Sequence, residues 1–339
     1  HSGPHRRGKT PVKPARKMEA FLASPWIPAE WIRAHGLQPR GIWSAEEFQP
    51  GAWPIAAGVC AFAEAAVRFA GMRPDAAVIF STACDQLRRG FDAAMLQRQR
   101  RAFLFNLPAT WQTAAAEEIF RSELERLGQF LLAIGGRTPS PERLRREMAQ
   151  SSRTRKRLLE SAPAGSPRGF AEAVARFHWN GAFSPPPSAA PAGQIPLALV
   201  GGPFLSPDWK WLDEIEAAGG RVALNATETG ERSLCPAFEL DAVTGNPFDA
   251  LVHGYGDNIV DVFQRPNLRL YSWLKPRLAS RHARGIVLWH FTGCDLWRAE
   301  AQTLREAFGL PVLLLEATGG PGAAPRQRDR LQAFVETLR

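Results

Sequence analysis

The sequence predicts an α/β fold of two Rossmann-like lobes with parallel sheets, a helical amino-terminal cap and a helical connector. Three observations carry that reading. Short apolar runs alternate with amphipathic stretches at the spacing of βαβ units. Two turns match each other, Thr82-Ala83-Cys84-Asp85 and Thr292-Gly293-Cys294-Asp295, each between an apolar run and a helical pattern. A Pro- and Ala-rich stretch, 184–194, separates the halves that carry them.

Residues 1–17 hold six Lys or Arg and no apolar core, which reads as a basic disordered tail or an expression remnant. The Trp-rich segment 18–49 reads as a helical cap, and together with residues 50–136 it forms the first lobe. Gly58-Val59-Cys60-Ala61-Phe62 opens a helix that runs to Ala70. Ala76 to Phe80 is a buried strand, the Cys84 turn comes next, and Gln86 to Arg100 is a helix. Phe103 to Asn106 is the next strand, and a helix from Thr113 to Ile134 stops at Gly135-Gly136. Ser140-Pro141-Glu142 is a helix start, with Ser as cap and Pro in the first turn. It begins a polar, basic helical connector spanning 137–183. The second lobe covers 195–339. Its strands are expected at 195–200, 221–224, 285–289 and 311–315, and its helices from Ser206 to about Gly219, from Leu296 to Phe308, and over 326–338.

Net charge is +9, from 42 basic and 33 acidic residues. Such a surface suits nucleic acid, an anionic membrane face or a phosphorylated small molecule. No zinc-finger spacing, RRM-like strand or heptad extension is present, so no nucleic-acid partner is expected. No run of about 18 apolar residues predicts a membrane span. Four cysteines without a C-x-x-C pair, and no signal-peptide pattern, point to a reducing cytoplasm where structural disulfides are rare.

Cys60, Cys84 and Cys294 each fall at a predicted helix amino terminus. Unpaired N–H groups and a partial positive charge there lower a thiol pKa and stabilise anions. Thiolates on three separate loops could converge on one iron–sulfur cluster and leave its fourth iron open as a Lewis acid. The alternative is three buried thiols in tight turns. Cys235, before Pro236, reads as a spare thiol. Asp85 and Asp295 read as helix caps. His290, at a strand end before the Cys294 turn, is a candidate proton donor, or a histidine with an ordinary hydrogen bond. His178 and His253 carry no motif. Gly201-Gly202-Pro203 lacks a phosphate-loop signature, so nucleotide hydrolysis is not expected, and 319–322 reads as a surface loop.

Ser81-Thr-Ala-Cys-Asp-Gln-Leu-Arg-Arg89 resembles the "TTACDQ" segment of the D-component family of 2-hydroxyacyl-CoA dehydratases and benzoyl-CoA reductases. Phe105-Asn106-Leu107-Pro108 is similar to that family's "N-x-P" turn. Cys60, Cys294-Asp295 and the closing helix 325–336 fall at the matching places, so the resemblance runs from about Trp43 to the end. It implies a [4Fe–4S] cluster on Cys60, Cys84 and Cys294, with one-electron ketyl-radical chemistry on an acyl-CoA. It also implies a related cluster-bearing subunit, as heterodimer or homodimer, and an ATP-hydrolysing iron–sulfur activator. The segments 225–232 and 264–267 depart from the family pattern. Two other roles come from the same resemblance: a non-catalytic electron-relay or structural subunit, and a double-cubane cluster reductase.

Overall fold

The computed structural model describes residues 18–48, 50, 59–97, 99–188, 194–234, 238, 245–317 and 325–339. In the first lobe, β1 (Glu19–Leu22), β2 (Gln38–Gly41), β3 (Ala77–Ser81) and β4 (Ala102–Phe105) form a sheet of order β2-β1-β3-β4. In the second, β5 (Ile195–Gly201), β6 (Gly220–Thr227), β7 (Gly285–Phe291) and β8 (Val312–Ala317) form one of order β6-β5-β7-β8. Every pairing is parallel. Counted within its lobe, each sheet has the order second, first, third, fourth. β3 and β7 are therefore equivalent, and each flanks the point where strand order reverses. Loops at the carboxyl edge beside such a reversal splay apart and leave a crevice. The two-lobe α/β prediction is what the molecule shows.

The strands beside that crevice are mostly apolar, with Ser81 and His290 near their carboxyl ends. All residues of β3 and of β7 are buried, as parallel strands covered on both faces require. Helices α2 (Ala61–Gly71) and α3 (Asp85–Leu96) cover the first sheet, with α4 (Ala114–Ala133) after β4. Thr113 caps α4 by accepting from the Ala116 N–H at 3.3 Å. One continuous core joins residues of both lobes. Phe62 and Phe291 meet across the lobe boundary, their ring centres 6.2 Å apart.

The segment 18–49 corrects the expected helical cap. It supplies β1 and the edge strand β2, with only the six-residue α1 (Ala29–Ala34) and one 3-10 turn between and after them. β1 is four residues long, and β2 contains Pro39, which an edge position tolerates. The connector is two helices, α5 (Pro141–Ser161) and α6 (Pro167–Asn180), because Ser166 and Pro167 start a second one. The second lobe adds α7 (Lys210–Ala217), α8 (Pro247–Asn258), α9 (Leu268–Ser280), α10 (Asp295–Phe308) and α11 (Pro325–Thr337). Among the described residues, no helix is long and apolar enough to cross a membrane.

Candidate functional site: a three-cysteine pocket between the lobes

Cys60, Cys84 and Cys294 line one pocket of about 400 Å³ at the carboxyl edges of both sheets. Each is the N-cap residue of its helix: Cys60 of α2, Cys84 of α3 and Cys294 of α10. The Cys84 sulfur accepts from the Leu87 N–H at 3.4 Å. The Cys60 N–H donates to Gln86 Oε1 at 2.7 Å, which ties the two cysteine turns of the first lobe together. Gly293, at φ +82°, makes the left-handed step that brings Cys294 round to the start of α10. The convergence expected from the matching turns is present, although 24 and 210 residues separate neighbouring cysteines.

The electrostatics run against the expected thiolates. Burial pushes the Cys60 thiol up, against the opposing pull of the Ala63 and Phe62 N–H groups. Burial likewise raises Cys84 well beyond the ordinary thiol range, more than the Leu87 N–H lowers it, and the neighbouring Cys60, Glu228 and Cys294 add to the rise. Cys294 is pushed up to about 12 by burial, with Trp297 N–H opposing and Cys60, Glu228 and Asp261 reinforcing. Desolvation outweighs the helix amino terminus at all three positions, so burial disfavours the thiolate at each.

The deep wall comes from the second lobe. Glu228 follows β6, and its N–H donates to Gly201 O at 3.0 Å. Burial raises its carboxyl to about 8, Asp261 adds to the effect, and Arg232 opposes it. Arg232 has no exposed surface. It donates to Ala226 O (2.7 Å), Val260 O (2.8 Å), Asp261 Oδ2 (2.6 Å) and Gly201 O (2.5 Å). Gly201 is at φ +145°, where any Cβ would lie 1.9 Å from Trp289 O, so the backbone needs glycine there. Glu228, Asp261 and Arg232 were not legible as site residues. The only signal was the unusual run Thr227-Glu-Thr-Gly-Glu-Arg232.

Asp85 and Asp295 are exposed at the rim, and Asp295 pairs with Arg298 at 3.2 Å. His290 is buried within β7 with Nδ1 3.1 Å from Phe291 O, and it does not line the pocket. Its ordinary hydrogen bond is the better reading. Cys235 and the loop 319–322 lie outside the described residues.

The cofactor and activity expectations need correction. Among the described residues, no three His, Cys, Asp or Glu side chains form a group that could hold a metal ion. With no such group, the described residues do not fit a [4Fe–4S] cluster. The expectation of such a cluster on Cys60, Cys84 and Cys294 is overturned. So are the iron–sulfur, radical and acyl-CoA lyase or reductase activities that were to depend on it.

No curated protein matches the chain. The family model described as 2-hydroxyglutaryl-CoA dehydratase, D-component, matches residues 26–338. That span includes both sheets' third strands, the three cysteine turns and the closing helix. The chain therefore belongs to the 2-hydroxyglutaryl-CoA dehydratase D-component family, and membership implies that it works with a partner subunit or activator.

Proposed function

We propose that this chain is the non-catalytic, structural component of a multi-part acyl-CoA dehydratase or reductase. The supporting observation is a pairing of match and mismatch. The family match covers nearly the whole chain and both lobes, yet the described residues hold no metal-binding group at the pocket. The chemistry then belongs to a related two-lobed partner, which an ATP-hydrolysing activator would supply with electrons. Here Cys60, Cys84 and Cys294 serve as wall residues of the pocket between the lobes, Cys60 buried and the other two half-buried.

Coexpression with a candidate partner subunit tests this. Native mass spectrometry should show a complex, and the chain alone, given activator, reductant and 2-hydroxyacyl-CoA, should show no turnover. Omitting it should lower the partner's stability or activity. Turnover by the isolated chain would overturn the proposal, and so would a partner equally active and stable without it.

A further inference from the structure

We propose that the outward face of α5 is the docking surface for a bounded patch of carboxylates on the partner subunit. This rests on the reading of the chain as the non-catalytic member of a complex. Seven Arg or Lys lie between Glu142 and Glu160, against one carboxylate, Glu147. The core uses only part of that charge. Arg143 donates to Arg33 O at 3.1 Å, Arg155 pairs with Glu30 at 2.5 Å, and Glu147 is turned to Arg33 at 3.5 Å.

The other five basic residues, Arg145, Arg146, Arg153, Lys156 and Arg157, are exposed. At 3.6 residues per turn they fall within about 120° of the helix circumference and span about 18 Å of its length. Arg145 donates to Gly245 O, and the Arg157 guanidinium lies 3.8 Å from the ring centre of Phe183. Arg146, Arg153 and Lys156 make no hydrogen bond, ion pair or ring contact among the described residues. The helix beneath them is held firmly. Leu144, Met148 and Leu158 are buried, Ser151 accepts from Arg33 at 2.5 Å, and Ser152 donates to Phe238 O at 3.3 Å. A charged face set in advance on a fixed helix loses little backbone freedom on binding.

The surroundings select the kind of anion. A helix that lies on a membrane turns large apolar side chains to the lipid, and none of the exposed large apolar residues is on α5. A nucleic acid carries its charge without interruption. Here exposed Glu142 and Glu160 close both ends of the basic stripe. They repel a polyanion that runs on past the stripe, and they fit a protein patch whose carboxylates stop within it. Four of the five cations are arginine, whose planar fork suits carboxylate pairing. Such a surface speeds and orients the encounter more than it adds to final affinity.

Biolayer interferometry on the full chain tests the proposal, with the candidate partner subunit of the coexpression experiment as probe. The association rate should fall roughly tenfold or more between about 50 and about 300 mM sodium chloride. The triple variant Arg146→Glu/Arg153→Glu/Lys156→Glu should associate roughly tenfold more slowly or worse at the lower salt. Its thermal midpoint should stay close to the parent's, because these side chains have no contacts to lose and glutamate is a good helix former. Arg284→Glu/Arg326→Glu/Arg330→Glu makes the same charge change on exposed positions of the second lobe and should keep most of the parent's rate. Failure of the parent to bind the partner would sink both this proposal and the reading it rests on. A parent and an α5 triple variant that bind equally well would sink this proposal alone. So would equal slowing by the second-lobe variant, or tighter binding of the parent to a short DNA duplex or to phosphatidylserine vesicles than to the partner.

Discussion

Arg155 of α5 and Glu30 of α1 form an ion pair 2.5 Å apart with almost no solvent-exposed surface. Tyr255 of α8 completes it: its hydroxyl donates to Glu30 at 2.8 Å and accepts from Arg155 at 3.0 Å. The first lobe, the connector and the second lobe thus share one buried polar junction. Removing one partner leaves a buried charge uncompensated. Glu30→Ala or Arg155→Met should each cost about 3–5 kcal/mol of stability. The double variant should cost clearly less than the sum, and urea unfolding of all three variants measures both effects.

Stability should depend on pH in two opposing ways. Burial alone would raise Glu30, but Arg155 and Arg33 hold its carboxyl at about 2. This contribution is present above the ordinary carboxylate value and is lost as pH falls toward 2. His178 is held down at about 3, first by burial and then by Arg155. The unfolded histidine takes up its proton from about pH 6.5 downward, so stability is lost between there and pH 3. Glu228, raised to about 8, behaves oppositely, with its contribution complete at low pH and lost as pH rises through 8. Urea midpoints should show His178→Gln gaining on the parent as pH falls from 6.5 to 4. Glu228→Gln should gain on the parent as pH rises from 5 to 9.

Arg232 should be intolerant even of lysine. Its guanidinium meets three carbonyls and Asp261 from three nitrogens, which a single ammonium cannot reproduce. Arg232→Met should cost about 3–5 kcal/mol. Arg232→Lys should recover less than half of that, as read by thermal and denaturant unfolding.

The three pocket thiols should be inert while the chain is folded. In a Cys235→Ser background, native protein at pH 7.5 should react with a chromogenic disulfide at least about a hundredfold more slowly than protein unfolded in guanidinium, because the raised pKa values remove the thiolate. Fast, stoichiometric labelling of the native thiols would contradict the electrostatics described above.

Sequence patterns revealed what depends on local order. Ala77–Ser81 and Gly285–Phe291 are apolar runs ending in small-residue turns, so both third strands and both cysteine turns could be read directly. β1 and β2 could not, since four-residue strands are too short to show a period, and the pairing of β1 with β2 and with β3 is tertiary. The convergence of Cys60, Cys84 and Cys294 was legible only through the equivalence of the two turns. Their ionisation was not, because it depends on how deeply the opposite lobe buries them. Arg232, Glu228 and Asp261 carry no periodic signal. They matter only because β5, β6 and the 259–263 segment come together in space.

The three-cysteine pocket takes its walls from both sheets, with Cys84 just after β3 and Cys294 just after β7. Any molecule that settles there touches both halves at once and acts as a mortar joint between them. Its binding energy is added to the work of prising the lobes apart, and loosening the lobes weakens its grip by the same amount. Occupancy of the crevice can therefore be followed at a distance, by hydrogen exchange in α1 and α8, neither of which lines the pocket.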